Sequence, residues 1–221
     1  MKTNLKHLLL LLITSHLFSC SSTENSTYVQ STSGMPVDQV IPGRLQCEFY
    51  DTGGEGVSFS DSYTINSGSG GLNKGSDYFS TFRINEAVDI SYSKYFDQID
   101  NSKFNIVDQQ ENQLYVGWTQ PGEWMKYTVD VEESGNYQVG LMFTSRHGGV
   151  VRLSTENGEH VDLHVPTTYD QKDPHDWRQW HHWNYIEDLG TLTLKKGKQT
   201  LTFTTIEKGE MNYDYIDFKL K

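Results

Sequence analysis

The stretch that decides the fold is Gly117-Trp-Thr-Gln-Pro-Gly-Glu-Trp-Met-Lys-Tyr-Thr-Val-Asp-Val131. It begins with a turn at Pro121-Gly122 and continues as a strand in which apolar and polar residues alternate. The apolar face of this strand consists of Met125, Tyr127, Val129 and Val131. After a turn at Ser134-Gly135-Asn136, the same alternation returns in Tyr137, Val139, Leu141 and Phe143. The pattern predicts a β-hairpin with one buried face.

The chain after this hairpin has the same pattern of short strands and turn signals. Strand-like segments recur at 150–153, 161–165, 189–194, 200–204 and 211–220. No segment carries a helical apolar period over three turns, and short strands at this spacing predict an all-β protein built as a β-sandwich. Because the first ordered segment, 44–51, and the last, 211–220, both resemble strands, we expect them to pair with each other.

Composition and charge narrow the class of protein. The chain has 221 residues, which suits one domain with an additional tail. Apolar residues make up 35%, while 13% aromatics and 19 glycines are typical of a turn-rich β protein. The net charge of -11 and the lack of a Lys/Arg cluster exclude nucleic acid as the expected partner and favour a neutral ligand over a polyanion.

The N-terminus has the features of a secretory leader over residues 1–19. Lys2 and Lys6 precede an apolar run, Leu8 to Ile13, that is too short to cross a bilayer. The following Leu17-Phe-Ser-Cys20 resembles a bacterial lipoprotein box, which predicts acylation of Cys20. The protein is therefore expected to be extracytoplasmic and lipid-anchored to a bacterial membrane, by preference the outer membrane, or to the cell surface. The alternative is an ordinary secretory peptide that is cleaved nearby.

Residues 20–43 are predicted to be a flexible tether, and the ordered domain is predicted at 44–221. The tether contains eight Ser and Thr residues between 21 and 43, with Pro36 and Pro42 but no sustained apolar period. Within the domain, residues 92–113 mix aromatic and polar residues and are interpreted as a long excursion outside the core. If Cys20 is acylated, Cys47 has no partner and the fold has no disulfide.

A loop rich in tryptophan is the first candidate binding element. It contains His175-Asp-Trp-Arg-Gln-Trp-His-His-Trp-Asn184, with three tryptophans at a spacing of three among charged and polar neighbours. Indole faces stack on the C–H surfaces of sugar rings and leave the sugar hydroxyls free for hydrogen bonds. We expect at least one of these indoles to be a ligand platform and at least one, Trp183 by its place next to a strand, to cap the sandwich.

Six motifs in order resemble a known family. They are Gln46-Cys-Glu-Phe-Tyr50, Glu86-Ala-Val-Asp-Ile90, the Val116–Val129 stretch, the tryptophan loop, Leu194-Lys-Lys-Gly-Lys-Gln-Thr-Leu201 and Asn212-Tyr-Asp-Tyr-Ile216. Together they resemble a family 6 carbohydrate-binding module over residues 44–221. The resemblance implies a β-sandwich of jelly-roll type that binds a polysaccharide or oligosaccharide and is usually attached to glycoside hydrolases.

The resemblance also implies a site in which two aromatic rings clamp a sugar at the loop end of the sandwich. Its motifs place the first ring at Trp118 and an orienting asparagine at Asn212. The second ring is Trp180 or Trp177, with the spacing from Gly197 and Asn212 favouring Trp180. Where the family often has a glutamate after the Val-Asp-Ile segment, this chain has Ser91. That departure and the 92–113 excursion leave the identity of the glycan open.

A second constellation suits a hard cation. Gln46 and Glu48 alternate with apolar residues in the first strand and so are expected on one face, where Asp214 of the last strand would join them. Ca²⁺ prefers such oxygen ligands, and the resemblance implies a structural calcium at these positions. The substitution of Gln46 for a more usual glutamate lowers the charge of the cage. A polar network between the strands without a metal is the alternative.

The sequence also contains residues that could form a zinc site or a pair of catalytic carboxylates. His160, Asp162 and His164 share one face of a strand, which is compatible with zinc but more typical of a solvated face. Glu55, Glu123 and Asp176 lie in loops that could hold a pair of catalytic carboxylates. One binding module fills the ordered chain, so the protein is not expected to be an enzyme. A small jelly-roll glycoside hydrolase or lyase and a protein-binding surface adhesin are the alternatives.

Overall fold

The computed structural model describes residues 39–221. The predicted leader, Cys20 and most of the predicted tether lie outside the described residues. The strands are β1 (Gln39–Ile41), β2 (Gly43–Gln46), β3 (Phe59–Ser60), β4 (Ile90–Tyr92), β5 (Leu114–Val116), β6 (Trp124–Val131), β7 (Gly135–Ser145), β8 (Gly149–Thr155), β9 (His160–Val165), β10 (Asn184–Leu194), β11 (Gly197–Glu207) and β12 (Met211–Leu220). Helical segments are short: α1 (Tyr78–Thr81), a π turn (Ser67–Leu72) and 3-10 turns at Cys47–Phe49, Phe96–Gln98 and Asp176–Trp180.

The strands form two sheets that face each other, which confirms the predicted all-β sandwich of jelly-roll type. Sheet A has the order β1-β6-β11-β8-β9, with β3 also paired to β6. Sheet B has the order β10-β7-β12-β5-β4, with β2 also paired to β12. The predicted pairing of the two ends of the domain is confirmed, because β2 runs antiparallel to β12 with Gln46 opposite Tyr215.

The alternation in β6 and β7 predicts the buried faces correctly but not the partners of the strands. Met125, Tyr127, Val129 and Val131 are buried, and so are the four apolar residues of β7. The predicted β6–β7 hairpin is wrong, however, because β6 pairs with β1, β3 and β11 while β7 pairs with β10 and β12. The short turn between them crosses from one sheet to the other. Alternation specifies which face is buried, and two inward faces look alike whether they share a sheet or oppose each other.

The start of the ordered domain differs from the prediction in two respects. The parallel strand β1 lies in residues 39–41, inside the segment predicted as tether, and pairs with β6 from Val129 to Val131. The predicted strand at 44–51 ends at Gln46 and is followed by a 3-10 turn in which Cys47, Glu48 and Phe49 are all buried. Strand alternation therefore stops at Gln46, and the predicted sharing of a strand face by Gln46 and Glu48 is wrong. Cys47 is a free, buried cysteine.

The excursion at 92–113 packs on the outer face of sheet B. The inward faces of both sheets form the main core, whereas Tyr115, Met142 and Trp183 form a second buried cluster on the opposite side of sheet B. Val107 of the excursion packs against this cluster, and the backbone amides of Ile106 and Val107 both donate to the Trp183 carbonyl. Trp183 is fully buried, as expected for a tryptophan that is not a ligand platform, but it lies under the excursion on the outer face of sheet B and not at the end of the sandwich. The excursion is thus a cover for one face of the sandwich.

Candidate functional site

One cavity at the loop end of the sandwich gathers the predicted sugar-binding residues. Its volume is about 300 Å³, which is at the small end of the range of about 300–1,000 Å³ for small-ligand sites. Both tryptophans that the sequence left as alternatives, Trp177 and Trp180, line it together with Trp118 and Asn212. The complete lining is Tyr115, Trp118, Gln120, Trp177, Trp180, His181, Glu210 and Asn212.

The turn that carries Trp118 is held in a strained backbone conformation. Trp118 has φ 51°, a left-handed value that is uncommon for a residue with a side chain. On one side, a side chain at Gly117 would place its Cβ 2.7 Å from Asn212 Oδ1, so a larger residue there would displace the Asn212 side chain. On the other side, Thr119 bonds to both backbone groups of Met211, donating to its carbonyl at 3.1 Å and accepting from its amide at 3.2 Å. These contacts fix the indole of Trp118 at the edge of the cavity.

Asn212 connects the last strand to the tryptophan loop. Its Nδ2 donates to the Trp180 carbonyl at 2.6 Å, and Thr144 Oγ1 of β7 donates to the same carbonyl at 2.7 Å. Asn212 is 6% exposed and lies in the wall of the cavity. Its amide nitrogen therefore positions Trp180, while its side-chain oxygen is the group that can accept a hydrogen bond from a ligand hydroxyl.

The rings of Trp180 and Trp177 have different neighbours and different exposure to solvent. The Arg146 guanidinium lies over the Trp180 ring, 4.4 Å from its centroid, and is itself paired with Asp176 at 2.7 Å. One face of Trp180 is therefore covered by a cation that is attracted to the ring. Trp177 is 47% exposed and has His175 and His181 beside its ring. No ring contact joins Trp118, Trp177 and Trp180 to one another in residues 39–221, so the space between them is available to a ligand.

A buried ion network supports the tryptophan loop from beneath. Asp173 pairs with Arg178 through two hydrogen bonds of 2.7 and 2.8 Å, and His182 Nε2 lies 2.7 Å from the same carboxylate. Burial alone would raise the pKa of Asp173, but the hydrogen bonds from Arg178, the His175 amide and His182 outweigh it and hold the pKa below its usual value. His182 also contacts the Thr168 carbonyl through Nδ1 at 2.9 Å. The loop is thus held by buried side-chain hydrogen bonds although it has little regular structure.

The excursion contributes Asp100 to the same region. Its carboxylate is fully buried and accepts hydrogen bonds from Trp183 Nε1 at 2.8 Å and from the Lys94 amide at 2.7 Å. His181 Nδ1, in the wall of the cavity, lies 2.9 Å from the same side chain. Asp100 therefore orients the His181 ring in the wall of the cavity and the Trp183 ring in the second buried cluster.

An acidic group lies behind the Trp118 turn. Glu123 accepts from the amides of Gln120 and Ser62, and Glu55 accepts from the amide of Asp61. Burial, together with the nearby negative charges, raises the pKa of Asp61 to about 7, and burial raises that of Asp89 to about 6. Glu55 and Glu123 are two of the three carboxylates considered for catalysis. Both accept hydrogen bonds from backbone amides of neighbouring residues, Asp61 and Ser62. The third, Asp176, is paired with Arg146.

The predicted calcium ligands lie at the junction of β2 and β12. Gln46 and Asp214 border a second, polar cavity of about 270 Å³, and Glu48 is fully buried in the adjacent 3-10 turn. Burial raises the pKa of Asp214 to about 7, opposed by a hydrogen bond from Gln109 and the charge of Arg44. Gln46 Oε1 is buried and accepts no hydrogen bond. An oxygen of this kind in the same cavity as the buried carboxylate of Asp214 fits a hard cation.

Other metal sites are not formed in the part of the chain that the structure describes. No group of three or more His, Cys, Asp and Glu side chains there is arranged to hold a metal ion. The predicted calcium cage has two residues of these types, with Gln46 as its third side chain. The zinc alternative at His160, Asp162 and His164 is therefore not supported, since Asp162 is engaged by Arg152 in two hydrogen bonds of 2.6 and 2.8 Å.

The sequence indicated half of the residues that line the cavity. The four it missed are Tyr115, Gln120, His181 and Glu210. Gln120 and His181 lie inside motifs that were recognised, so their proximity to the tryptophans was a usable signal. Tyr115 and Glu210 carry no local signal, because strand pairing and the turn before β12 bring them to the cavity.

Comparisons with solved structures agree with the fold. The chain aligns over 83% of its length with 99% of a β-1,3-glucan-binding CBM6 of Bacillus halodurans, at 16% identity and a TM-score of 0.50. It aligns over 84% with 98% of the module CsCBM6-3 of Clostridium stercorarium in complex with cellobiose, at 9% identity and a TM-score of 0.50. At these identities the likeness concerns the fold.

A search of curated proteins finds no match. Within residues 39–221, no helix is long and apolar enough to cross a membrane. The family described as Carbohydrate binding module (family 6) matches residues 95–221, more than half of the chain, including all eight residues of the cavity. The chain therefore belongs to family 6 of the carbohydrate-binding modules, a family of non-catalytic glycan-binding domains.

Proposed function

We propose that this protein binds a polysaccharide or oligosaccharide by stacking a sugar ring between Trp118 and Trp180, without chemistry of its own. Trp177 extends the platform at the rim of the cavity, and the side-chain oxygen of Asn212 accepts a hydrogen bond from a sugar hydroxyl. Indoles supply apolar contact to the ring C–H groups, and the polar wall satisfies the hydroxyls.

The observation that carries this proposal is the meeting of three tryptophans from two loops in one cavity. Trp118 precedes Trp177 by more than fifty residues in the chain, yet both line the cavity with Trp180 and Asn212. The Trp118 turn, Asn212 and the Arg146 stack hold these rings in place before any ligand arrives. A site that is ordered in advance loses less conformational entropy on binding.

The experiment is affinity electrophoresis in gels that contain single polysaccharides, including a β-1,3-glucan and a soluble cellulose derivative. We expect retardation by at least one polysaccharide, and loss of that retardation in Trp118→Ala and Trp180→Ala. Trp124→Ala is the matched control because Trp124 is a partly exposed tryptophan on β6 that does not line the cavity. Circular dichroism of each variant verifies the fold. Retardation that persists in both cavity variants would refute the site.

The alternatives predict other outcomes of the same screen. A small glycoside hydrolase or lyase would release reducing sugar from the retarding polysaccharide, whereas we expect no release. Both oxygens of Glu123 are occupied by backbone amides, which suits a structural carboxylate better than a general acid or base. A protein-binding adhesin would show no retardation by any polysaccharide.

We also propose a structural calcium ion held by Gln46, Glu48 and Asp214. The buried Gln46 Oε1 that accepts no hydrogen bond supports it, and a calcium ion requires several oxygen ligands of this kind. Bound there, the ion would connect β2 and its following turn to β12, the two ends of the domain. Gln46→Glu is expected to raise the affinity for Ca²⁺ in isothermal titration, because it adds a negative charge to the cage; an unchanged or lower affinity would count against these ligands.

For the N-terminus we propose a lipid anchor on Cys20, from the resemblance of Leu17-Phe-Ser-Cys20 to a lipoprotein box. The protein would then present its cavity to glycans outside the cytoplasm while remaining attached to a membrane or cell surface. Expression in a bacterial host with a radiolabelled fatty acid tests this directly. We expect label in the wild type and none in Cys20→Ala, and label in neither would indicate an ordinary secretory peptide.

A further inference from the structure

One polar group in the wall of the tryptophan cavity is oriented by the excursion at 92–113. His181 lines the cavity, and its side chain is 21% exposed. Its Nδ1 lies 2.9 Å from Oδ1 of Asp100, a fully buried carboxylate of the excursion. Within residues 39–221 no hydrogen bond is formed to Nε2 of the same ring. Nε2 is therefore the nitrogen of this ring that is left for a ligand.

The hydrogen bonds around Asp100 determine which nitrogen of His181 carries a proton. Oδ1 of Asp100 accepts from Trp183 Nε1 at 2.8 Å, and Oδ2 accepts from the Lys94 amide at 2.7 Å. A carboxylate whose two oxygens both accept from N–H groups is an acceptor, so the histidine nitrogen that contacts it must donate. Nδ1 of His181 therefore carries the proton, and Nε2 of the neutral ring has a lone pair that can accept a hydrogen bond.

Backbone and ring contacts hold both members of this pair. The Asp100 amide donates to the Lys94 carbonyl at 2.9 Å, and the His181 amide donates to the Arg178 carbonyl at 2.8 Å. The Trp177 ring packs edge-on against the imidazole, with 6.2 Å between the centroids and 67° between the planes. A sugar in the cavity would meet an imidazole that is already oriented, which reduces the conformational entropy lost on binding.

The neighbouring polar side chains of the cavity offer acceptors as well. Asn212 uses its Nδ2 to donate to the Trp180 carbonyl, which leaves its Oδ1 for a ligand. Gln120 uses its Nε2 to donate to the Trp118 carbonyl at 3.3 Å, and Glu210 contributes a carboxylate. Such a wall suits a ligand whose hydroxyl groups can donate. A hydroxyl that carries a methyl or acetyl group has no proton to donate and would fit this wall poorly.

We propose that Nε2 of His181 accepts a hydrogen bond from a hydroxyl group of the stacked sugar, and that Asp100 is the positioning residue that fixes the required tautomer. The ligand is therefore a sugar unit whose hydroxyl at that position is unsubstituted. This inference rests on the proposed function, since His181 meets the hydroxyl only when the sugar stacks between the tryptophans.

The first test determines the tautomer in the protein without ligand. Nitrogen-15 spectra of the imidazole rings at about pH 8, where an unperturbed histidine is neutral, distinguish a protonated ring nitrogen from a bare one. His181→Phe assigns the signals. We expect a protonated Nδ1 and a bare Nε2 in the wild type, and both tautomers in Asp100→Ala, where no carboxylate holds the proton on Nδ1. A protonated Nε2 in the wild type would overturn the inference and leave the proposed function intact.

The second test is isothermal titration with an oligosaccharide prepared from the polysaccharide that retards the protein in gels. His181→Phe keeps an aromatic ring beside Trp177 but lacks Nε2, so we expect an affinity about three- to tenfold weaker than that of the wild type. Asp100→Ala should show a similar loss. The double variant should bind no more weakly than His181→Phe alone, because Asp100 acts through His181. His164→Phe, at an exposed position on β9, is the control and should bind as the wild type does.

The outcomes separate the inference from the proposed function. Unchanged affinity in His181→Phe, or additive losses in the double variant, would overturn the inference and leave the stacking site intact. If the wild type binds no oligosaccharide, the stacking site fails and the inference fails with it. Asp100→Ala also removes a partner of the buried Trp183, so circular dichroism verifies its fold. The wild-type tautomer and the affinity of His181→Phe test the inference without that variant.

Discussion

The two ends of the sandwich differ in how their turns are made. At the end opposite the cavity, the turns 132–134 and 195–196 are short and exposed, and a glycine, Gly197, provides the positive φ of 109°. At the cavity end, Trp118, Lys208 and Glu210 adopt left-handed conformations although each has a side chain. A non-glycine residue in that region costs about 1–2 kcal/mol. Glycines such as Gly122 and Gly209 also adopt positive φ at the cavity end, so the two ends differ in that only the cavity turns named here keep residues with side chains in this conformation.

Buried charge follows the same division. Asp173, Arg178 and His182 are buried under the tryptophan loop, and Asp100 is buried beside it. The charged residues of the opposite turns, such as Glu133 and Lys196, are exposed. Burial of ions and strained turns both reduce the net stability of a domain. Further buried charges, such as Glu48 and Asp214, lie between β2 and β12. Buried ions together with strained turns thus distinguish the cavity end from the turns 132–134 and 195–196, as expected for an end that binds a ligand.

Removal of the Asp173 charge should have the largest effect on stability. Asp173→Asn keeps the size of the side chain but leaves the buried Arg178 without its carboxylate, so we expect a loss of about 3–5 kcal/mol in the free energy of unfolding. Urea denaturation monitored by circular dichroism measures it. Glu133→Gln, an exposed carboxylate at the opposite end, should change the same quantity by less than about 0.5 kcal/mol. Similar losses in the two variants would remove the contrast between the ends.

The fold was more predictable from sequence than the site, for a physical reason. Alternation in β6 and β7 identified the apolar inward residues from Met125 to Val131 and from Tyr137 to Phe143, since a half-buried strand requires it. It did not identify β1 in the predicted tether, because three residues are too few for a pattern. Nor did it distinguish the predicted β6–β7 hairpin from a crossing between sheets. Pairing is set by tertiary packing, which leaves no local mark on the sequence.

Among site residues, the tryptophans were predictable because exposed indoles are costly without a partner. The supporting residues were not. Asp100 sits in an excursion with no recognisable period, yet it orients both His181 and Trp183. Arg146 follows a strand with nothing to indicate that its guanidinium lies over Trp180. Residues that act through another side chain show their role only after the chain has folded.

Removal of the proposed calcium ion should have the next largest effect on stability, between β2 and β12. With calcium at about one hundred times its dissociation constant, an ion bound there would stabilise the native state by about 2.7 kcal/mol. We expect a chelator to lower the melting temperature of the wild type. In Asp214→Asn the chelator should have little further effect. A wild-type melting temperature that does not respond to the chelator would argue against the metal site.

The pH dependence of stability should reflect the acidic group behind Trp118, in addition to Asp214 between β2 and β12, whose pKa is also raised to about 7. The native pKa values of Asp61 and Asp89, about 7 and about 6, lie above the value of about 3.9 for an unfolded aspartate. The native state therefore retains protons that the unfolded state releases. The stabilisation from these two protonated carboxyl groups is fully present below about pH 4 and is lost as the pH rises through 6 and 7.

Urea titrations between pH 5 and 8 in a chelator measure this slope. Asp61→Asn should remove on the order of 1–2 kcal/mol of the decrease, allowing for solvent screening of a partly exposed group. Glu133→Gln should retain the full decrease. Superimposable curves for wild type and Asp61→Asn would show that Asp61 is ionised throughout this range.

Loss of the Arg146 stack should have the smallest effect, and on affinity rather than on stability. Arg146→Met keeps an aliphatic contact with Trp180 but removes the cation, which is worth about 0.5–1 kcal/mol at an exposed ring. We expect a two- to fivefold weaker affinity for the oligosaccharide by isothermal titration. Arg152→Met on the outer face of sheet A is the matched control and should leave affinity unchanged. Equal effects in both variants would mean that the stack does not position Trp180.

The most direct test of sugar stacking is the behaviour of the five tryptophan indoles during a titration. In a nitrogen-15 correlation spectrum, each indole N–H gives its own signal, and mutation of each tryptophan assigns it. Titration with the retarding oligosaccharide should shift the signals of Trp118 and Trp180 in a saturable manner and leave that of Trp124 in place. Unchanged signals of Trp118 and Trp180 at a saturating concentration would contradict the stacking site.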